Sequence, residues 1–265
     1  MSQSAAAAFA PLPFELVYDD GEPLENDWHT RELPLLRRLI RQVMAEQGRT
    51  DYFTSSNIFV YYSVEQAREV AEEVSNRLPE KAFRGPDVFW VGGVDSKRER
   101  KVWIAWEEGG RLPDVIFEML SPSTAKKDRT EKRDLYARVF GTAEYFMYEP
   151  ETGKLEGLRL AGRFYQPIQP DENGRLWSEE LGAFVGLWQG IVEEMQSDWV
   201  RLFRPDGTLV PTPDEQAEAE RQRADAERQR ADAERHRADA ERHRADAAEA
   251  ELARLRALLE ERGRG

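Results

Sequence analysis

Cysteine is absent from this chain of 265 residues, which excludes disulfides, thiolate zinc sites and cysteine nucleophiles together. Histidine is almost as scarce, with 3 residues. His29 lies far along the sequence from His236 and His243, so little remains for an imidazole metal site. No apolar run approaches the roughly 20 residues that a membrane span needs. The longest near the start, AAAAFAPLPF, is broken by two prolines, and MSQS before it lacks the basic residues that open a secretory signal. With no thiols and no span, the expectation is a cytoplasmic protein with no membrane partner. A glycine-rich phosphate loop is also missing, because Gly92-Gly93 is too short for a dinucleotide fingerprint. No serine sits in a nucleophile elbow. Positive charge is in deficit: 38 Lys and Arg face 51 Asp and Glu, for a net charge of -13 at pH 7. Affinity for nucleic acid comes from cations neutralising phosphates. Any such role here therefore needs a local basic patch or divalent ions.

What is present is enough for a core. Hydrophobic residues make up 40% of the chain and aromatics 10%, well above a disordered composition. Three textures divide the chain: an Ala/Pro-rich, then acidic, irregular lead-in over 1–26, a mixed globular region over 27–212, and a charged repeat over 213–265. In the middle region Leu33, Leu36, Ile40 and Met44 recur at helical spacing within His29 to Glu46. NIFVYYS reads as a strand and Glu65 to Leu78 as a second helix. GPDVFWVGG, KVWIAW and PDVIFEML read as short strands, the first two separated by the polar turn DSKRER. A crossover helix is expected over Asp128 to Phe140, followed by the strand EYFMY. From Gly153 onward the turn-rich runs KLEGLRL, RFYQPI, LGAFVGLW and WVRLFRPDGTLV predict hairpins or a meander extending the sheet. Trp90, Trp103 and Trp106 are assigned to sheet packing rather than to stacking on bases.

The tail repeats AERQRAD or AERHRAD from Ala219 to Asp246. Its residues favour helix, and opposite charges recur three or four apart, as at Arg221 with Asp225 and Arg228 with Asp232. The period of seven suggests a coiled coil that would make the chain a homo-oligomer. The seam is weak, however: if Ala224, Ala231, Ala238 and Ala245 fill one core position, Glu227, Glu234 and Glu241 fill the next. Only Leu252, Leu255 and Leu259 give an apolar stripe in phase. A solvated single helix stays open beside the coiled coil, with His236 and His243 at the surface.

Carboxylates are what remain for chemistry. Asp87 follows Pro86 at the start of a strand, and Glu118 interrupts the apolar run VIFEML. Such a carboxylate must be paired, coordinated or at an exposed strand end, because burying it alone is costly. Two carboxylates converging from neighbouring strands, with a backbone carbonyl and waters, would make an oxygen site for Mg²⁺ or Mn²⁺. With 51 acidic residues in the chain, a chance pairing is equally compatible with spacing alone.

Pro86-Asp87, Pro113-Asp114, Glu118-Met119-Leu120-Ser121-Pro122-Ser123-Thr124, Asp128 with Glu131-Lys132, Tyr136, and Gly141 through Glu144-Tyr145 form a connected pattern. In it the chain resembles the Uma-type putative restriction endonuclease family, of the PD-(D/E)XK nuclease superfamily. LGAFVGLWQG and RLFRPDGTLVPTPDE resemble that family's closing strands. The resemblance implies an α/β fold: a restriction-endonuclease-like mixed sheet flanked by helices, with additional C-terminal β-hairpins and a long C-terminal helix. It implies metal-dependent hydrolysis of DNA, with Asp87 as the motif aspartate and Glu118 as the second acid. One departure stands out. The superfamily's name calls for a lysine two residues after the second acid, and here that residue is Leu120. Lys132 is the candidate to supply the cation from the next helix, orienting water and balancing charge on the phosphate. The competing reading makes Asp128 and Glu131 a capping box, with Lys132 answering Asp128 one turn back. Ser121 could bond Glu118 or simply end the strand. Lys126, Lys127, Arg129, Lys132 and Arg133 form a basic cluster suited either to phosphates or to a solvated helix start. A binding or regulatory module with the same fold and no chemistry is the alternative reading.

Overall fold

In the computed structural model, residues 13–14, 16, 26–78, 83–121 and 125–262 are described, with side chains as far as residue 254. Most of the lead-in, residues Pro122 to Thr124 and the side chains of Leu255 and Leu259 lie outside the described residues. The chain forms two units, Met1–Thr212 and Pro213–Gly265.

The first helix, α1 (Asp27–Glu46), opens where the Asn26 side chain accepts the His29 N–H at 3.1 Å, satisfying one otherwise orphan donor. Its apolar stripe is complete: Leu36, Leu39, Ile40 and Met44 are fully buried, each contributing about 1.5–3 kcal/mol of transfer free energy. After it come strands β1 (Tyr52–Ser56) and β2 (Val60–Tyr61), then helix α2 (Val64–Asn76). Strands β3 (Val88–Gly92), β4 (Trp103–Ile104) and β5 (Val115–Met119) follow, then a helical stretch over 125–140. The remaining strands are β6 (Glu144–Glu149), β7 (Lys154–Ala161), β8 (Phe164–Pro167), β9 (Leu176–Ser178), β10 (Ala183–Val192) and β11 (Met195–Phe203).

Six strands form one mixed sheet in the order β1-β3-β5-β6-β7-β8. The pair β5 and β6 is parallel and the other neighbours are antiparallel. A parallel pair needs a crossover rather than a tight turn, and the stretch 125–140 supplies it. Strands β9 to β11 form a separate three-stranded sheet, which corrects the expectation that they extend the first; only β7 and β8 do so. Two expected strands also shrink. NIFVYYS contributes only Val60 and Tyr61, because Asn57 takes a left-handed φ of 52° and splits the run from β1 before it. KVWIAW keeps Trp103 and Ile104, then tightens into a single 3₁₀ turn over Ala105–Glu107. The polar strand DYFTSS, now β1, and the short β9 were not expected from pattern.

Alternation along the strands divides the core between the two faces of the sheet. Val88, Trp90, Val115, Phe117, Phe146 and Tyr148 pack with α1 and the smaller sheet. Phe89, Val91, Ile116, Tyr145 and Met147 pack on the other face with Trp103, Leu120 and Tyr136. Trp90 and Trp103 are buried, as expected for packing. Glu118 lies two residues beyond Ile116 in β5, so it projects onto the same, second face.

The tail is one helix, Pro213–Arg262, of 50 residues. Its described side chains are nearly all exposed, including both histidines and Leu252. Its ion pairs include Arg221 with Glu218 at 3.4 Å and Arg235 with Asp232 at 3.9 Å, each three residues apart. Among the described residues no helix is long and apolar enough to cross a membrane.

Candidate active site

Asp87 and Glu118 arrive on neighbouring antiparallel strands. Gly85 makes the approach of the first one possible: a Cβ there would stand 2.3 Å from the Ile58 carbonyl oxygen. The chain therefore passes close against that segment just before Pro86-Asp87 enters β3. Asp87 Oδ2 accepts the N–H of Met119 at 2.6 Å, locking the aspartate to the backbone one residue beyond Glu118. The Met119 carbonyl in turn lies 3.3 Å from His29 Nε2.

Glu118 is almost completely buried, and both of its oxygens are met by side chains from the crossover helix. Tyr136 donates its hydroxyl to Oε1 at 2.6 Å. Lys132 donates to Oε2 at 3.0 Å, and its ammonium also lies 2.8 Å from Asp128 Oδ1. Lys132 thus stands between two buried carboxylates, one on β5 and one on its own helix. The turns over Asp128–Lys132 and Tyr136–Phe140 are of the wide π type, a local rewinding frequent at functional sites. Asp128, Lys132 and Tyr136 follow one another at intervals of four along this stretch. Tyr145 donates its hydroxyl to the Asp128 carbonyl at 3.2 Å, fastening the helix to β6.

Burial and like charge shape the electrostatics. Burial, reinforced by Asp87 and Asp128, pushes Glu118 up to about 8 even though Lys132 and Tyr136 act in the opposite direction. Asp87 keeps some accessible surface yet is enclosed by enough protein that burial raises it too, against Lys132 and the Met119 N–H. Burial alone would lower Lys132, but Glu118, Asp128 and Asp87 together raise it, so it stays an ammonium. Burial holds Tyr136 well above its ordinary value, with Glu118 adding to the effect; it remains a neutral donor.

Three carboxyl groups therefore share one lysine in a low-dielectric site, and a divalent cation there would favour their ionised forms. The donors fit such an ion in kind, because Asp87, Glu118 and the Met119 carbonyl are all oxygens. Among the described residues no three His, Asp or Glu side chains stand together as a ready metal cage. A bound ion would rest on two carboxylates, backbone and water.

The structure brings Asp87, Glu118 and Lys132 into one constellation and adds residues that the sequence reading assigned elsewhere. Asp128 is not a helix cap, because the Ala125 N–H already bonds the Ser121 carbonyl at 2.9 Å and Asp128 sits a turn inside, buried. Tyr136 and His29 carried no assigned role; the spacing Asp128, Lys132, Tyr136 was the available signal for a polar stripe turned inward. The basic cluster disperses. Arg129 pairs with Glu149 and Glu156 at 3.4 and 2.8 Å, Lys132 enters the site, and Arg133 turns outward.

A family model described as "Putative restriction endonuclease" matches residues 12–192, a span that contains every residue of the constellation. No curated protein matches the chain. Among solved structures, a putative nuclease from Anabaena variabilis ATCC 29413 is similar at 14% identity. That similarity covers 62% of this chain and 81% of the other, with a TM-score of 0.40.

Proposed function

The chain belongs to the putative restriction endonuclease family, and on that premise we propose that it is a metal-dependent endonuclease hydrolysing DNA phosphodiester bonds. One observation carries the reading. Lys132 reaches the Glu118 carboxylate at 3.0 Å, so an aspartate, a glutamate and a lysine meet in space although Leu120 stands where the superfamily's lysine would be. The reading assigns Asp87 and Glu118 to Mg²⁺ or Mn²⁺ and Lys132 to the phosphate and the attacking water. A divalent ion supplies charge stabilisation at the phosphoryl oxygens and lowers the pKa of a bound water.

The chain's own residues have distinct tasks in this proposal. The Met119 N–H fixes the Asp87 rotamer, and Tyr136 fixes that of Glu118. Asp128 would keep the Lys132 ammonium at the site if an ion engaged Glu118. A lysine kept charged by three acids is suited to stabilising the pentavalent phosphate, and unsuited to acting as a general base.

The test is cleavage of supercoiled and single-stranded DNA with Mg²⁺ or Mn²⁺, comparing wild type with Asp87→Asn and Glu118→Gln. Metal-dependent cutting that disappears in both folded variants supports the reading. Cutting that survives both, or its complete absence in the wild type, removes it. A second reading has its own support, because both Glu118 oxygens are already engaged by Lys132 and Tyr136. On that reading the domain is a catalytically inactive binding or regulatory module that self-associates through the helix Pro213–Arg262. Cutting the chain before Pro213 would then lower the oligomeric mass, and an unchanged mass would eliminate it.

A further inference from the structure

The crossover helix has a second polar face. Lys132 and Tyr136 turn toward Glu118, while Arg133, Asp134 and Arg138 turn toward β8 and line a groove of about 460 Å³ with Arg163, Phe164 and Tyr165. Three guanidinium groups and one carboxylate line this groove, in a chain whose net charge is -13. The carboxylate does little to quench them. Asp134 lies 3.5 Å from Arg133 and 4.0 Å from Arg138, and all three side chains are about half exposed or more. Phe164 stands beside the arginines with 68% of its surface exposed, on the outermost strand of the sheet. A large ring left in water among cations is the pairing that nucleic-acid channels use, with guanidinium on phosphate and ring on base.

The groove and the acidic site lie on either side of a layer of buried rings. Tyr165 in its wall lies 6.0 Å, ring to ring, from Tyr145, and Tyr145 lies 5.1 Å from Tyr136. The Tyr136 hydroxyl is the one bonded to Glu118. Arg133 and Arg138 stand on the helical stretch that carries Lys132, so a strand held in the groove would run along that stretch.

We propose that this groove seats an unpaired stretch of nucleic acid, with Arg133, Arg138 and Arg163 on its phosphates and Phe164 stacked on a base. The assignment rests on the nuclease reading of the adjoining site and adds to it the form of the substrate. A duplex keeps the faces of its bases inside the stack and offers Phe164 nothing to cover, whereas a single strand, a flap or an opened end does.

Binding and cutting are measured on the same labelled oligothymidine and its duplex. Full-length wild type is titrated in EDTA by fluorescence anisotropy across a salt series. The expected result is a preference for the single strand, lost by about 10-fold or more when Arg133, Arg138 and Arg163 are all changed to alanine. The slope of log K against log salt should become shallower by roughly 2, since each phosphate contact on a single strand contributes about 0.7. Phe164→Ala should weaken binding by about 5-fold or more without changing that slope. The proposal is overturned if the triple variant binds as tightly as wild type, if the duplex binds better, or if poly-glutamate binds at the groove and the oligonucleotide does not. Adding Mn²⁺ to the same mixtures separates the two readings. Cutting with groove-independent binding leaves the nuclease and removes the groove; groove-dependent binding without cutting does the reverse.

Discussion

Glu118 on β5 and Glu32 on α1 are both almost fully buried glutamates. Burial raises both, Glu118 to about 8 and Glu32 well above its ordinary value. Their surroundings differ. Glu32 leans from α1 onto β11, where its Oε2 accepts the Val200 N–H at 3.3 Å and Arg201 supplies opposite charge. Its Oε1 has no hydrogen-bond partner among the described residues. Glu118 has both oxygens met by side chains that can rotate away, with two further carboxylates at hand. A perturbed carboxyl therefore does not by itself mark a site. What sets Glu118 apart is a set of side-chain partners around the perturbed group, where Glu32 has a backbone N–H.

The sharpest way to break this comparison is to neutralise each glutamate in turn. On the proposed nuclease reading, Glu118→Gln is expected to lower metal-dependent DNA cleavage by on the order of 1,000-fold, while Glu32→Gln leaves cleavage by the folded variant near wild type. Equal losses in nicking assays would show that both act only through the fold. Lys132→Met comes next. It leaves Glu118 and Asp128 facing each other across a buried gap and should cost about 3–5 kcal/mol in urea unfolding. Added Mg²⁺ should recover part of that loss, and no recovery would argue against cation binding at Asp87 and Glu118.

Acidity offers a third handle. An unfolded glutamate titrates near 4.3, and both folded values lie above that. Between the two values the native state holds a proton that the unfolded state has lost. Stability is therefore fully present below about pH 4.3 and falls as pH rises, for Glu118 until about pH 8. Each group contributes at most about 1.4 kcal/mol per pH unit. Mg²⁺ should flatten the part owed to Glu118, and only Glu32→Gln should flatten the part owed to Glu32. Urea midpoints measured across this range with and without metal separate the two; a single slope indifferent to both treatments would be wrong for this picture. The smallest effect belongs to Tyr136→Phe, about 1–2 kcal/mol. It should appear both as lost stability and as a shift in the pH dependence of cleavage, and a change in stability alone would make Tyr136 a packing residue.

Several of these relations were legible in the sequence. An acid inside VIFEML announces itself because every neighbour is apolar, and alternation alone puts it on the face opposite Phe117. Asp87 could be found from Pro86 and the strand that follows. The fate of Lys132 was legible only as a candidate, because helical spacing relates it to Asp128 without saying that both turn inward. Wide π turns compound the difficulty, since they change which residues share a face. β1 stayed hidden because DYFTSS lacks an apolar alternation; Thr54 there bonds the Phe89 carbonyl at 2.8 Å instead of packing as a hydrophobe. His29 was invisible for a different reason: its partner is the carbonyl of Met119, 90 residues away, and a backbone oxygen leaves no trace in sequence.

The last strand of the large sheet has a consequence for how the protein behaves in a crowd. An open sheet edge is a template on which another chain can add a strand and begin an aggregate. At this edge the Ile168 N–H turns inward to the Gly157 carbonyl at 2.8 Å, so the preceding residue would aim its own N–H outward. That residue is Pro167, which has none. The ladder ends at a residue that cannot donate, and the sheet is protected from growing at that end.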